Sequence, residues 1–179
     1  MTIRISHDKE LYEIGGGILY LAEWSGNAPP AADAYFDVGN CSDWAYEVAV
    51  TRVDHYSLRG GRKVIDRSIV TTTGYSFWFV LDELSLVNVA LFVQGAAEGN
   101  VIHALQRFGS EYAVKFVTDN YSGENKIFEF RRCVIRPRRS ANMIEPTRRK
   151  RIPFHGEGLE DWEHHPESPF FEITVVDEE

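Results

Sequence analysis

The sequence predicts a mainly β fold, a β-sandwich or barrel of two hairpins with one short flanking α-helix. From Trp44 onward apolar and polar residues alternate, and the same period of two returns from Ser68 to Leu84. This alternation is typical of strands with one buried face. Two further runs, 111–118 and 126–135, surround the turn-rich segment 119–125. We therefore expect a second hairpin after the first.

Before the first hairpin, the chain predicts one short strand between irregular segments. Residues 1–13 are predicted to form a polar N-terminal arm. The glycines 15–17 then precede an apolar strand at 18–22. No GxGxxG and no following Lys-Ser/Thr accompany this triplet, so it predicts a hinge or bulge rather than a phosphate loop. Residues 24–41 are rich in turn formers and predict a loop.

The segment between the first two strands, 58–67, is too long for a tight turn and strongly basic. Its charged residues are Arg59, Arg62, Lys63 and Arg67, against Asp66 alone. A loop of about ten residues between two long strands is more often functional than idle. Its charge indicates an acidic partner.

A helix is predicted within 85–94. Ser85 is placed to cap a helix that begins at Leu86, and Leu84 and Val89 are placed to form a hydrophobic staple. Every residue from 86 to 93 except Asn88 is apolar. We therefore expect the helix to be buried nearly all round until Gly95 ends it.

The charges are strongly segregated in the last third of the chain. The net charge is −8, which disfavours a nucleic-acid reader because phosphate neutralisation dominates that affinity. Residues 131–151 hold nine bases and one acid, whereas residues 152–179 hold nine acids and no Lys or Arg. Two interpretations stay open: solvated tails, or arms that contact neighbouring subunits. The predicted organisation is a β domain at 14–135 and an extended C-terminal arm at 136–179 with one strand at 169–176.

Several classes of protein and site are disfavoured. No apolar run reaches the roughly twenty residues that cross a bilayer, and residues 1–9 lack a signal peptide's apolar core, so we expect a soluble protein made in a cytoplasm. Two distant cysteines without CxxC spacing disfavour a zinc site, and no cofactor is expected. Adjacent carboxylates such as Asp82 and Glu83 point to opposite sides of a strand. With no GxSxG motif either, we do not expect an enzyme.

An ordered set of segments between residues 14 and 95 resembles the tail tube proteins of long-tailed bacteriophages. These segments are Gly15-Gly-Gly-Ile-Leu-Tyr-Leu-Ala22, Val38-Gly-Asn-Cys-Ser-Asp43, His55-Tyr-Ser57, Lys63-Val-Ile-Asp66, Val70-Thr-Thr-Thr73, Phe79-Val-Leu-Asp-Glu-Leu-Ser85 and Asn88-Val-Ala-Leu-Phe92. The resemblance covers about the first half of the chain. The second half agrees with it in architecture only.

The resemblance implies a structural virion protein. Six copies would form a ring, and stacked rings would form a hollow tube through which the genome leaves the capsid. The tube would be assembled in the bacterial host cytoplasm. Its partners would be other copies, tail proteins such as tape measure, terminator and tip, and double-stranded DNA in non-specific passage, with no membrane. The loop 58–67 would reach the next ring.

The strand faces turned away from the core would then border the lumen. Strand parity gives the candidates Glu47, Thr51, Thr72, Ser76, Lys115, Asp119, Glu129 and Arg131. A conduit for DNA should offer no net positive grip on phosphate. Glu47, Asp119 and Glu129 are expected to provide repulsion, with Lys115 and Arg131 as a partial counterweight.

Three alternatives remain. The first is a tube or tail-completion protein of a contractile injection device. The second is a soluble β-sandwich binding module that uses Trp24, Trp44, Trp78 and Trp162, although Trp44 and Trp78 fall within predicted strands. The third is a small hydrolase, for which carboxylates are present without a catalytic geometry.

Overall fold

The computed structural model describes residues 14–25, 27–141 and 150–176. The predicted N-terminal arm, 1–13, lies outside these residues. The first half contains β1 Ile14–Trp24, β2 Phe36–Asp37, β3 Cys41–Ser57, β4 Val64–Leu81 and α1 Leu86–Phe92. The second half contains β5 Ala96–Glu98, β6 Val101–His103, β7 Glu111–Ser122, β8 Asn125–Pro137, β9 Ile152–Leu159 and β10 Phe171–Val176.

The mainly β class is confirmed. Eight strands form one antiparallel sheet in the order β2-β1-β7-β8-β9-β4-β3, with β10 paired to β8, and β5 and β6 form a separate ribbon. Both predicted hairpins are present, as β3 with β4 and β7 with β8. Their strands are longer and their loops shorter than predicted. The basic segment is a case in point: β4 begins at Val64, so Asp66 and Arg67 lie in a strand and not in a loop.

The core is an aromatic layer between two parts of this curved sheet. Phe77, Phe79, Phe130 and Phe154 are fully or almost fully buried. Trp44 on β3 stacks on Phe116 of β7 with ring centroids 4.9 Å apart, so β3 packs across the core against strands that are not its hydrogen-bonded neighbours. Truncating one of these rings to alanine is expected to cost about 3–5 kcal/mol.

The helix occupies nearly the predicted residues, but its burial differs from the prediction. Leu86 is 41% and Val87 is 52% exposed, whereas the polar Asn88 is only 1% exposed. The expectation of burial all round was wrong because apolar side chains on one side of α1 face solvent. The helix ends at Phe92, and the residue that takes the left-handed conformation after it is Gln94 rather than Gly95.

The C-terminal segment differs most from the prediction of an extended arm with one strand. It contributes two strands, and β9 lies inside the sheet between β8 and β4. Ile152 and Phe154 on β9 belong to the buried core. The region is therefore part of the folded body rather than an arm around it. The segment between α1 and β7 also contains structure, because β6 pairs with β5 there.

Candidate assembly surfaces

The first hairpin extends far beyond the body of the sheet. β9 pairs with β4 only at residues 76–81, so residues 64–75 of β4 have β3 as their hydrogen-bonded neighbour in the described sheet. We call residues 48–74 the β-arm. None of its described side chains is buried. A two-stranded ribbon of this kind is marginally stable alone in water.

The β-arm exposes large apolar side chains on both of its faces. The members are Val48, Val50, Val53, Tyr56, Leu58, Val64, Ile65, Ile69 and Val70. The cross-strand pair Val53 with Ile69 lies on one face, and the pair Tyr56 with Ile65 lies on the other. β3 is also the last strand in the sheet order, so its outer edge has no strand partner among residues 14–25, 27–141 and 150–176. Long exposed edges with apolar side chains are templates for association.

Two bulges set the register of the β-arm. One of them lies near Arg52-Val53, where the alternation of apolar and polar residues is interrupted. The register shifts between Thr51 and Arg52, and again between His55 and Tyr56. At the first shift, the Thr71 hydroxyl donates to the Thr51 carbonyl over 3.3 Å. At the second, His55 Nδ1 and Asp66 Oδ1 lie 2.6 Å apart. The bulges increase the twist of the arm and change which side chains share a face beyond them.

The tip of the β-arm holds the predicted stacking residues. Arg59 lies in the short turn Arg59–Gly61, and its side chain lies outside the described residues. Arg62 is exposed, and Lys63 Nζ lies 4.2 Å from the centroid of the Tyr56 ring. Arg67 sits on β4 opposite His55. The tip is thus cationic, and Asp66 is engaged with His55 within the arm.

The predicted lumen-facing residues fall into three separate groups. Thr51 faces Thr72 across the β-arm, and Glu47 faces Ser76 on the body of the sheet. Lys115 Nζ lies 3.1 Å from Glu129 Oε1 on β7 and β8. Asp119 is exposed on β7. Some of these residues are cross-strand neighbours, but the set does not make one continuous row in the subunit.

The third group is engaged inside the subunit. The Arg131 guanidinium contacts both Glu129 and Glu172, and its side chain is only 14% exposed. Loop residue Tyr35 lies close by, and its pKa is raised by burial and then by Glu129. Glu129 and Arg131 therefore belong to an ion-pair network within the subunit, together with Glu172.

A groove on the Glu47 face holds residues that the sequence did not suggest as site residues. Ser76 pairs with Glu47 on one side and Glu157 on the other. Arg136 Nη1 lies 3.3 Å from Glu157 Oε2, and the Arg138 guanidinium lies 5.0 Å from the Trp78 ring centroid. The groove has a volume of about 340 Å³. It balances two carboxylates with two guanidinium groups.

A second cavity, of about 230 Å³, is lined in part by the connection from β9 to β10 and by Arg132 of β8. We call it the acidic cavity; its lining is Trp24, Asn27, Arg132, Glu160, Asp161, Trp162, Glu163 and His164. Asp161 is buried, and its Oδ1 lies 2.8 Å from His164 Nδ1. Burial and then Arg131 lower the pKa of the neighbouring His165. In the sequence, this site is visible only as the adjacent carboxylates Glu160 and Asp161.

The described part of the chain offers neither a metal site nor a membrane-spanning helix. No group of three or more His, Cys, Asp or Glu side chains there is arranged to hold a metal ion. Cys133 is buried and free, and burial followed by Glu111 raises the pKa of its thiol. No helix among these residues has the length and apolarity to cross a membrane.

Comparison with known proteins identifies a family to which this chain is similar. A family model matches residues 12–101, which is half of the chain, and its description is protein of unknown function UCP028589. The matched residues run from the start of β1 through the β-arm and α1 to the beginning of β6. No curated protein matches the chain.

Proposed function

Because this chain belongs to the protein family of unknown function UCP028589, its activity must be inferred from its own residues, and we propose that it is a structural subunit of a phage tail tube. Six copies form a ring, rings stack into a hollow tube, and the tube conducts the genome during ejection. The proposal combines the resemblance of residues 14–95 to tail tube proteins with the exposed surfaces of the subunit.

The observation that carries the proposal is the β-arm. Its strands belong to elements of 17 and 18 residues, yet no side chain described within 48–74 is buried. Apolar side chains on both faces and a free edge need a partner. A second copy is the partner that self-assembly supplies, since pairing of the arm with a neighbour removes the edge and closes a ring.

The basic tip suits contact with the next ring. Arg62 and Lys63 stand exposed at the end of the β-arm, Lys63 over the Tyr56 ring, where both can meet carboxylates of another copy. Exposed charges of this kind steer association and fix register more than they add affinity. The stacking role of the loop therefore belongs to the same proposal.

Negative-stain electron microscopy of the purified protein across a concentration series tests this function. We expect hollow rods or six-fold rings with a central hole. The double variant Val53→Thr with Ile69→Thr keeps strand propensity but removes one apolar pair, and it should assemble only at higher concentration. Val101→Thr, an equally exposed position outside the arm, is the matched control.

A discrete monomer at every concentration and salt would contradict the proposal. It would favour a soluble β-sandwich binding module, for which Trp162, 56% exposed in the lining of the acidic cavity, is a candidate aromatic contact.

A further inference from the structure

The acidic cavity has the features of a receptor for a cation. Glu160 and Glu163 are exposed at its rim, and the Asp161 carboxylate lies beneath them. The lining cation Arg132 already contacts Glu111, with Nε 2.6 Å from Oε2. Trp162 donates its indole N–H to Glu160 over 2.9 Å. The cavity thus joins three carboxylates to an exposed aromatic ring, which suits an arginine or lysine side chain.

One oxygen in the cavity lining lacks a hydrogen-bond partner. The Asp161 side chain is 3% exposed, and its Oδ2 accepts no hydrogen bond within the described residues. His165 Nε2 lies 3.8 Å from this oxygen, which is too long for a hydrogen bond, whereas Oδ1 of the same carboxylate lies 2.8 Å from His164 Nδ1. A buried carboxylate oxygen without a donor is costly, so a cationic donor that enters from outside would stabilise it.

The chain itself contains a complementary segment at the opposite end of β9. The basic run Arg148-Arg-Lys-Arg151 directly precedes Ile152, where β9 begins. Lys150 and Arg151 are exposed, and Arg151 Nε lies 3.7 Å from Asp82 Oδ1. Arg148 and Arg149 lie outside the described residues. β9 therefore has a cationic segment before it and the acidic cavity after it.

The basic run cannot reach the cavity of its own subunit. β9 holds eight residues, and at about 3.3 Å per residue its ends lie about 23 Å apart. Arg148 precedes Ile152 by four residues, which span at most about 14 Å when extended. Even an arginine side chain added to that span falls short of the cavity. A contact between the two charged regions must therefore join different copies.

We propose that the acidic cavity receives the basic run 148–151 of a second copy of this chain. The contact is head-to-tail, because each copy offers the run at one end of β9 and the cavity at the other. Head-to-tail contacts close into rings or continue as filaments. This inference rests on the proposed self-assembly and names the contact that joins adjacent copies.

The first test is binding in trans. A synthetic peptide with residues 147–152 is titrated into the whole protein at low salt. The readout is intrinsic tryptophan fluorescence, to which Trp24 and Trp162 in the cavity lining contribute. We expect saturable binding that weakens about tenfold in the double variant Glu160→Gln with Glu163→Gln. Glu124→Gln with Glu167→Gln, exposed carboxylates that do not line the cavity, is the matched control. Equal peptide affinity in both double variants overturns the inference.

The second test is charge exchange during assembly, followed by electron microscopy. Glu160→Lys with Glu163→Lys should prevent ring formation, and so should Arg148→Glu with Arg149→Glu. The combination of all four changes should restore rings. Restoration by Arg62→Glu with Lys63→Glu instead would assign the cavity to the tip of the β-arm and overturn the inference.

The two tests separate this contact from the proposed function. If the wild-type protein forms tubes and the cavity variants form them equally well, the contact is wrong and the function stands. If no assembly occurs while the peptide still binds at the cavity, the tube function fails and the trans contact remains.

Discussion

Asn88 links the helix to two other segments through one amide group. Its Nδ2 donates to the Val38 carbonyl over 2.8 Å and to the Glu83 carbonyl over 3.0 Å. Its backbone N–H donates to Ser85 Oγ over 3.2 Å, so Ser85 caps the helix. Leu84 and Val89, the positions of the predicted staple, both pack against the core. The start of α1 is thus fixed by one polar side chain and its apolar neighbours.

We predict that Asn88→Ala lowers the free energy of unfolding by about 1–3 kcal/mol, because the substitution leaves two carbonyl groups without their donor. Val87→Ala, one residue earlier and 52% exposed, should change it by less than about 0.5 kcal/mol. Urea denaturation of both variants measures the difference. A larger loss for Val87→Ala would mean that the apolar residues of α1, and not Asn88, attach it to the body.

At the scale of elements, β9 shows what the sequence pattern could not reveal. Its residues include Gly156 and Gly158, which read as turn formers rather than as part of a strand. A Cβ at Gly156 would lie 2.1 Å from the Phe77 ring, and one at Gly158 would lie 2.0 Å from the Tyr75 ring. The glycines therefore make room for aromatic rings that lie over the backbone. The only local signal was the alternation of Ile152 with Phe154.

We predict that Gly156→Ala destabilises the fold by about 1–3 kcal/mol, because the Phe77 ring is fully buried and has little room to move. Gly74→Ala is the matched strand control, since a Cβ there meets no atom within 4 Å. That change should be neutral or stabilising by up to about 1 kcal/mol, because it restricts the unfolded chain. Thermal unfolding by circular dichroism compares them, and equal midpoints would show that Phe77 yields easily.

The hairpins were predictable because their signals are local. Alternation over Trp44–Val50 and the aromatic stripe at Tyr75–Leu81 predicted two strands that are present. The stripe at Tyr75–Leu81 is buried, but the expected buried face of the first strand was wrong, because Tyr46, Val48 and Val50 are exposed. The order of strands in the sheet was not predictable, because the insertion of β9 between β8 and β4 depends on partners distant in sequence. The position of Arg136 in the groove beside Glu47 was not predictable either. Its strand was taken to end at residue 135, and its register shifts near Tyr112.

At the scale of the whole molecule, the charges are unevenly distributed. Basic residues precede β9 in the sequence and stand at the tip of the β-arm, whereas acidic residues follow β9. The basic run 148–151 and the acidic segment 152–179 were visible in the sequence as blocks. Their role was not, since the acidic block contributes two strands of the folded sheet as well as the cavity. The acidic residues between 152 and 176 therefore belong to the folded body rather than to a solvated tail.

The groove beside Glu47 provides the last prediction, which concerns the lumen of the proposed tube. Glu47 and Glu157 there balance Arg136 and Arg138, so the face offers DNA no net positive grip. Glu47→Lys changes this balance by two charges without touching the core, since Glu47 is exposed. Tubes of this variant should form normally but retain double-stranded DNA on co-sedimentation at low salt, and release it as the salt concentration rises. Glu98→Lys, an exposed change on the separate ribbon, should not retain DNA. Equal retention by the two variants would place Glu47 outside the lumen, because a charge that borders the path must act on phosphate more strongly than one beyond a Debye length from it.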